Sequence, residues 1–404
     1  MERLPLFDEY FSRDFLRPHI QAIAETVSRQ LPRVSQPGWM TGLAGMAVFL
    51  AEYEDWCHGV PVHVQPHLSN AENGQPHGAA LTDVLGRIVD LIDDGFTFPT
   101  LAAGLTGILF TFHYLGDRGL IDRDDAKALD EIIPFLEKYA THELKSGNYD
   151  PLHGGTGPYL LDIVRAAPCG CPSPHTSAYC GCPSPHTSAH CGCPPPQAPD
   201  LDLGLAHGLP SYLLFLKKIN CEESIINPLA NDLLSHADFT QKNGSIFPSK
   251  IVRGVAQYPS RLAWCYGDAG VGISLLCGAQ GMQGIQGIQG MQGFQGFWEV
   301  GVRVLLGATL RRDALNTRVE DPFLCHGASG LALIFYKAWL LSKNDKFKEA
   351  AQFWTQETLN YLNTSFAPGD SSDTTLLNGL SGIGLVLMAI DRGFLPGWEK
   401  GLLI

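Results

Sequence analysis

Residues 104–115 read Gly104-Leu-Thr-Gly107 followed by ILFTFHYL: two glycines three apart, then an apolar segment about as long as a helix. The pattern recurs along the chain. Gly42-Leu-Ala-Gly45 precedes MAVFLAEY, and further copies are Gly154-Gly-Thr-Gly157, Gly208-Leu-Pro-Ser211, Gly267-Asp-Ala-Gly270, Gly327-Ala-Ser-Gly330 and Gly379-Leu-Ser-Gly382. In the fourth copy Ser211 replaces the second glycine. Glycine is frequent here, 44 of 404 residues, so isolated pairs arise by chance; the spacing is more informative. Successive first glycines lie 62, 50, 54, 59, 60 and 52 residues apart, the signature of a long structural repeat.

Between the apolar segments lie more charged stretches of helical period, at about 7–31, 83–95, 122–144, 222–236, 296–312 and 346–366. A helix apolar nearly all round is buried, whereas one with a polar face lies outside. Alternation of the two predicts an all-α ring of seven inner helices, each following its own outer partner. Small residues at the inner helix starts let those ends crowd together. One outer partner is missing. Ahead of the fourth inner helix stands CGCPSPHTSAY-CGCPSPHTSAH-CGCPPPQAPD, whose prolines forbid a helix. A second low-complexity tract, GMQGIQGIQGMQGFQG at 281–296, reads as a flexible loop. The expectation is one toroidal domain over 1–404, with low-complexity insertions at about 168–200 and 279–296.

Composition narrows the function. At 45% hydrophobic residues the chain can bury a sizeable core, and its net charge of −13 comes with no basic patch for nucleic acid. No run of 18 apolar residues exists to cross a membrane. The segment MERLPLFDEY carries Glu2, Arg3, Asp8 and Glu9 where a secretory signal needs an apolar run, so the expected compartment is the cytoplasm. Six of the eleven cysteines fall in the Cys-x-Cys tract, which reads as an expanded repeat rather than a soft-metal site. The others, in a cytosolic chain, are buried residues, metal ligands or nucleophiles rather than bridges.

Three sites open inner segments: Trp264-Cys265-Tyr266-Gly267, Cys325-His326-Gly327 and His207-Gly208. Two thiolates and an imidazole suit zinc and leave a fourth position open. The adjacent ligands Cys325 and His326 cannot share a helix face, since neighbours differ by about 100°, but they can converge just before a helix. A lone Cys265 would be read as a buried small residue; a Cys-His pair plus a cysteine at the same phase of another repeat favours metal. Asp150 can equally be a helix cap, Arg261 a solvated cation and Tyr266 a core residue. His153 is expected to be partly buried and hydrogen-bonded, and Cys57-His58 to lie in a loop.

These motifs resemble those of the lanthionine synthetase C-like cyclases: Arg261-Leu-Ala-Trp264-Cys265-Tyr266-Gly267, Cys325-His326-Gly327, Gly204-Leu-Ala-His207-Gly208 and Asn148-Tyr149-Asp150. The resemblance runs from the first glycine pair to the seventh. It implies an α/α toroid of seven inner and seven outer helices, with one catalytic Zn2+ per chain held by Cys265, Cys325 and His326. It further implies His207 as acid/base, with Asp150, Arg261 and Tyr266 at the other active-site positions. The implied reaction adds peptide cysteine thiols to dehydroalanine or dehydrobutyrine, closing thioether rings. The implied partners are a dehydrated precursor peptide and the dehydratase of the same pathway. Rival readings are a family member that adds glutathione or another thiol to dehydroamino acids, and a non-catalytic zinc-stabilised scaffold. The missing outer helix departs from the family pattern.

Overall fold

The computed structural model describes residues 4–59, 77–163, 200–279, 294–369 and 372–404. In chain order its principal helices are α1 Arg17–Gln30, α2 Leu43–Gly59, α3 His77–Asp93, α4 Leu105–Asp117, α5 Ile133–Lys145, the single turn α6 Gly157–Leu160, and α7 Leu209–Lys218. They continue as α8 Glu223–Ser235, α9 Asp268–Gly278, α10 Phe294–Ala308, α11 Ala328–Ser342, α12 Asp345–Leu362 and α13 Leu380–Arg392. Three short strands, β1 Leu201–Asp202, β2 Lys250–Val252 and β3 Val255–Ala256, form a small antiparallel sheet in that order, which the helical periodicity did not announce.

The glycine pairs have a steric cause. Before each inner helix the chain doubles back, and the carbonyl six residues upstream lies against the glycine. A Cβ at Gly104 would strike the Phe98 carbonyl oxygen, and one at Gly107 the Leu101 carbonyl. The same collision awaits a Cβ at Gly330 against Leu324 and at Gly382 against Leu376. This doubling back caps the helix. The N–H after the first glycine donates to the close carbonyl: Leu43 to Gln36 (2.8 Å), Leu105 to Phe98 (2.7 Å), Ala328 to Asp321 (2.9 Å) and Leu380 to Asp373 (2.8 Å). A helix otherwise leaves its first N–H groups without partners. The small hydroxyl residue inside several pairs adds a bond to the next carbonyl: Thr106 to Pro99 (2.6 Å), Thr156 to Tyr149 (3.0 Å) and Ser381 to Thr374 (2.6 Å).

The chain forms two compact units. In Met1–Pro134 with Val319–Leu402, α13 packs on α1, α2 and α11, α2 on α3 and α4, and α11 on α12. Helices α11 and α13 are buried through most of their length, whereas α12 buries only one face, through Phe347, Ala350, Ala351, Trp354, Thr358 and Leu362. Glu52, 1% exposed, ties three helices together through Tyr114, Arg118 and Arg392. In Phe135–Arg318 with Leu403–Ile404, α9 packs on α10 and α7, and α7 on α8. There Asp268 is fully buried beside Arg311 at 3.1 Å. The Arg311 guanidinium also donates to the Ser260 carbonyl (2.8 Å), and the Ile246 and Phe247 N–H groups donate to Asp268 (3.1 and 2.8 Å).

Several elements differ from the periodicity reading. The stretch 122–144 is broken into Arg123–Ala126, a 3-10 turn at Asp130–Ile132, and α5, which carries Pro134 in its first turn. The 7–31 helix contains a π turn at Ser12–Leu16, immediately before Pro18, which has no N–H to continue the α ladder. The third inner segment is described as a single turn, ended by Asp162 in the left-handed region (φ 59°). Cys57 and His58 lie in the last turn of α2, not in a loop, with Cys57 buried. The Cys-x-Cys tract lies outside the described residues. So does most of the 281–296 tract, whose last three residues open α10.

Substitution at two glycines is expected to have opposite signs. Gly382→Ala destabilises by about 1–3 kcal/mol, because the Cβ must displace the Leu376 carbonyl. Gly86→Ala, exposed in α3 with no atom within 4 Å of its Cβ, stabilises by roughly 0.5–1 kcal/mol. Chemical denaturation of both variants beside the wild type checks this.

Candidate metal and acid–base site

The doubled-back loops place two residues directly ahead of each first glycine at the start of an inner helix. Cys265 and Cys325 stand two residues before theirs; His207, Tyr266 and His326 stand one before. Helix N-termini favour thiolates. Gly267 itself has φ 83°, which a residue with a side chain rarely adopts.

In the unit formed by Phe135–Arg318, four of the sequence-derived residues group together with two others. His207 Nδ1 lies 2.8 Å from Asp150 Oδ2. Asp150 Oδ1 accepts the N–H groups of Leu152 (2.7 Å) and His153 (3.0 Å), so it holds a turn several residues ahead of α6 rather than capping that helix. The His207 and His153 rings stack, with centroids 5.6 Å apart and planes inclined by 13°. His153 is exposed, contrary to the expectation of a partly buried residue. Tyr266 donates its hydroxyl to Asp202 Oδ2 at 3.0 Å, and its ring centroid lies 6.4 Å from that of His207. The loops carrying Cys265 and His207 lie against one another: Ala206 N–H donates to the Cys265 carbonyl (3.2 Å), and a Cβ at Gly204 would meet that oxygen and the Tyr266 ring. Arg261 is half-buried, and its guanidinium makes no hydrogen bond or ion pair to the described residues.

Charge follows this geometry. The hydrogen bond to Asp150 raises the His207 pKa; burial opposes it, and the Asp150, Asp202 and Cys265 charges reinforce it. For Asp150, burial favours the neutral acid, but His207 and the two backbone N–H groups outweigh it and hold the carboxyl below its ordinary value. Burial pushes the Asp202 carboxyl upward, and burial with the Asp202 charge does the same to the Tyr266 phenol. A raised imidazole stabilises the fold fully below its unfolded value of about 6.5, and that contribution fades as pH rises through the folded value. A lowered carboxyl contributes fully above about 3.9 and fades as pH falls through its folded value. The pair is therefore fully effective from about pH 4 to about pH 6.5.

Cys265 stands just ahead of α9, and Cys325 and His326 just ahead of α11. Cys265 is buried, and the other two are half-buried. Two soft sulfurs with one imidazole match the preference of zinc. His326 Nε2 lies 3.3 Å from Asp321 Oδ2.

Asp202 and Asp321 were not singled out from the sequence, although a signal exists. Both stand six residues before a first glycine, as do Asn148 and Asp373, and at each the side-chain oxygen accepts the N–H two residues on. The recurring acid or amide marks the turn, and the second polar atom of its side chain serves other contacts, Oδ2 in Asp202 and Asp321 and the NH2 in Asn148.

Comparison with known proteins places this geometry in context. A family profile described as "Lanthionine synthetase C-like protein" matches residues 67–400. Among solved structures, "Nisin cyclase" aligns over 95% of this chain and 96% of its own, with a TM-score of 0.67 at 17% identity. The fold is accordingly an α/α toroid, with few strands among the described residues. No curated protein sequence matches significantly. No helix among the described residues is long and apolar enough to cross a membrane.

Replacing Asp150 by Asn removes the main cause of the raised His207 pKa. The imidazole titration of Asp150→Asn, followed by NMR, is expected to move to lower pH than in the wild type; an unmoved titration would show that another group sets it.

Proposed function

Because the chain belongs to the lanthionine synthetase C-like family, we propose that it is a zinc-dependent cyclase. It would add cysteine thiols of a dehydrated precursor peptide to dehydroalanine or dehydrobutyrine, forming (methyl)lanthionine rings. The observation that carries the reading is the His207–Asp150 pair beside Tyr266, an acid–base arrangement in a chain of this family whose Cys265, Cys325 and His326 are the residue types that zinc prefers.

In this reading Cys265, Cys325 and His326 hold the zinc ion. Bound there, zinc would keep the peptide thiol deprotonated near neutral pH, and two thiolate ligands would leave that sulfur nucleophilic. The remaining work falls to the chain. Attack at the β-carbon forms the C–S bond and moves the π electrons toward the α-carbon and its carbonyl. Arg261, which has no anionic partner among the described residues, supplies positive charge for the carbonyl oxygen. His207 points Nδ1 at Asp150, so Nε2 is the atom that delivers a proton to the α-carbon. Asp150 orients the ring and stabilises its protonated form. The imidazole is then reprotonated by solvent, which restores the proton released by the thiol. Tyr266 commits its hydroxyl proton to Asp202, which fixes the phenol beside His207.

Two measurements test the reading. Purified wild type should carry near-stoichiometric zinc, and both Cys265→Ala and Cys325→Ala should lose most of it; retention in either removes that residue from the ligand set. Ring closure leaves mass unchanged, so it is followed by the loss of alkylatable thiol in a dehydrated, cysteine-containing peptide. His207→Ala is expected to keep the metal and slow thiol loss by about 10²–10⁴-fold. If the zinc-loaded wild type consumes no thiol, the protein is a scaffold rather than a cyclase.

A further inference from the structure

His326 offers two ring nitrogens, and only the one without a proton can bind a metal. Nε2 faces a carboxylate oxygen, lying 3.3 Å from Asp321 Oδ2. Asp321 has little freedom to turn away. Its other oxygen, Oδ1, accepts the Phe323 N–H at 2.9 Å, and its backbone carbonyl accepts the Ala328 N–H at 2.9 Å. Gly327 lets the carboxylate in, since a Cβ there would collide with Asp321 Oδ1 and with the Asp321 carbonyl. The Asp321 side chain is 15% exposed and that of His326 is 32% exposed, so the pair is partly screened from water.

We infer that Asp321 is a positioning residue for the metal site: its carboxylate holds the proton of His326 on Nε2 and so presents Nδ1 as the ligand atom. The inference rests on the proposed role of His326 and adds the tautomer, the ligating atom and the group that selects them. A carboxylate can only accept, so it demands a donor at Nε2. A metal-bound histidine whose other nitrogen faces a carboxylate is held in orientation and made more basic, and loss of such a partner typically weakens metal binding 10–100-fold.

Asp321→Asn separates this role from a structural one. The amide oxygen can keep the Phe323 N–H, which preserves the turn. The amide NH2 then faces His326 as a donor, so Nε2 must accept and the proton moves to Nδ1. Two readouts apply to the whole protein. In the metal-free state, long-range 1H–15N NMR distinguishes the two tautomers of His326; wild type should show Nε2–H and Asp321→Asn should show Nδ1–H. Chelator competition with Zn2+ should show a 10–100-fold weaker site in Asp321→Asn. Asp373→Asn removes an acid in the same turn geometry at the seventh glycine pair and should leave both readouts unchanged. A wild type with the proton on Nδ1, or an Asp321→Asn that binds zinc within twofold of wild type, overturns the inference; the wild-type tautomer decides it even if the variant does not fold. His326→Ala tests the underlying reading separately: undiminished zinc affinity there would remove His326 from the ligand set whatever Asp321 does.

Discussion

The close approach of a loop carbonyl to a glycine at the start of each inner helix is the contact on which the rest of this protein depends. It supplies the first helical N–H with an acceptor, and it turns the chain so that an outer helix can be followed by a buried one. It also fixes where the chemistry can sit. The two residues ahead of the glycine lie between the turn and the helix, where backbone N–H groups favour negative charge. The thiols and imidazoles of the candidate site occupy those two positions in the fourth, fifth and sixth copies.

The turn has a second product. Four of the copies use an Asp or Asn six residues before the glycine to hold the loop, and one oxygen is enough for that task. At Asp202 the spare oxygen receives the Tyr266 hydroxyl, and at Asp321 it lies beside His326. A carboxylate whose rotamer is already set by a backbone hydrogen bond orients a neighbouring side chain with little further loss of conformational entropy. Residues that hold the backbone therefore also organise the site.

Where the sequence reading missed, the cause was local chemistry that periodicity does not register. The apolar and charged pattern of 122–144 is that of one helix, yet the chain breaks it before Pro134. Cys57-His58 looked like loop because it follows the apolar run, whereas α2 continues to Gly59 and buries Cys57. Asp150 was legible both as a helix cap and as an active-site residue; it holds a turn with one oxygen and His207 with the other.

The sequence alone determined the alternation of buried and amphipathic helices, because burial demands apolar residues on every face of an inner helix and on one face of an outer one. It also marked the inner helix starts, since no side chain but a hydrogen fits against the upstream carbonyl. Which side chains meet was settled by tertiary structure alone. Asp150 and His207 are 57 positions apart, and Tyr266 lies 64 from Asp202. Separations of that size carry no periodic signal, because hydrogen-bond partners are selected by distances of about 3 Å in space that only the packed loops provide.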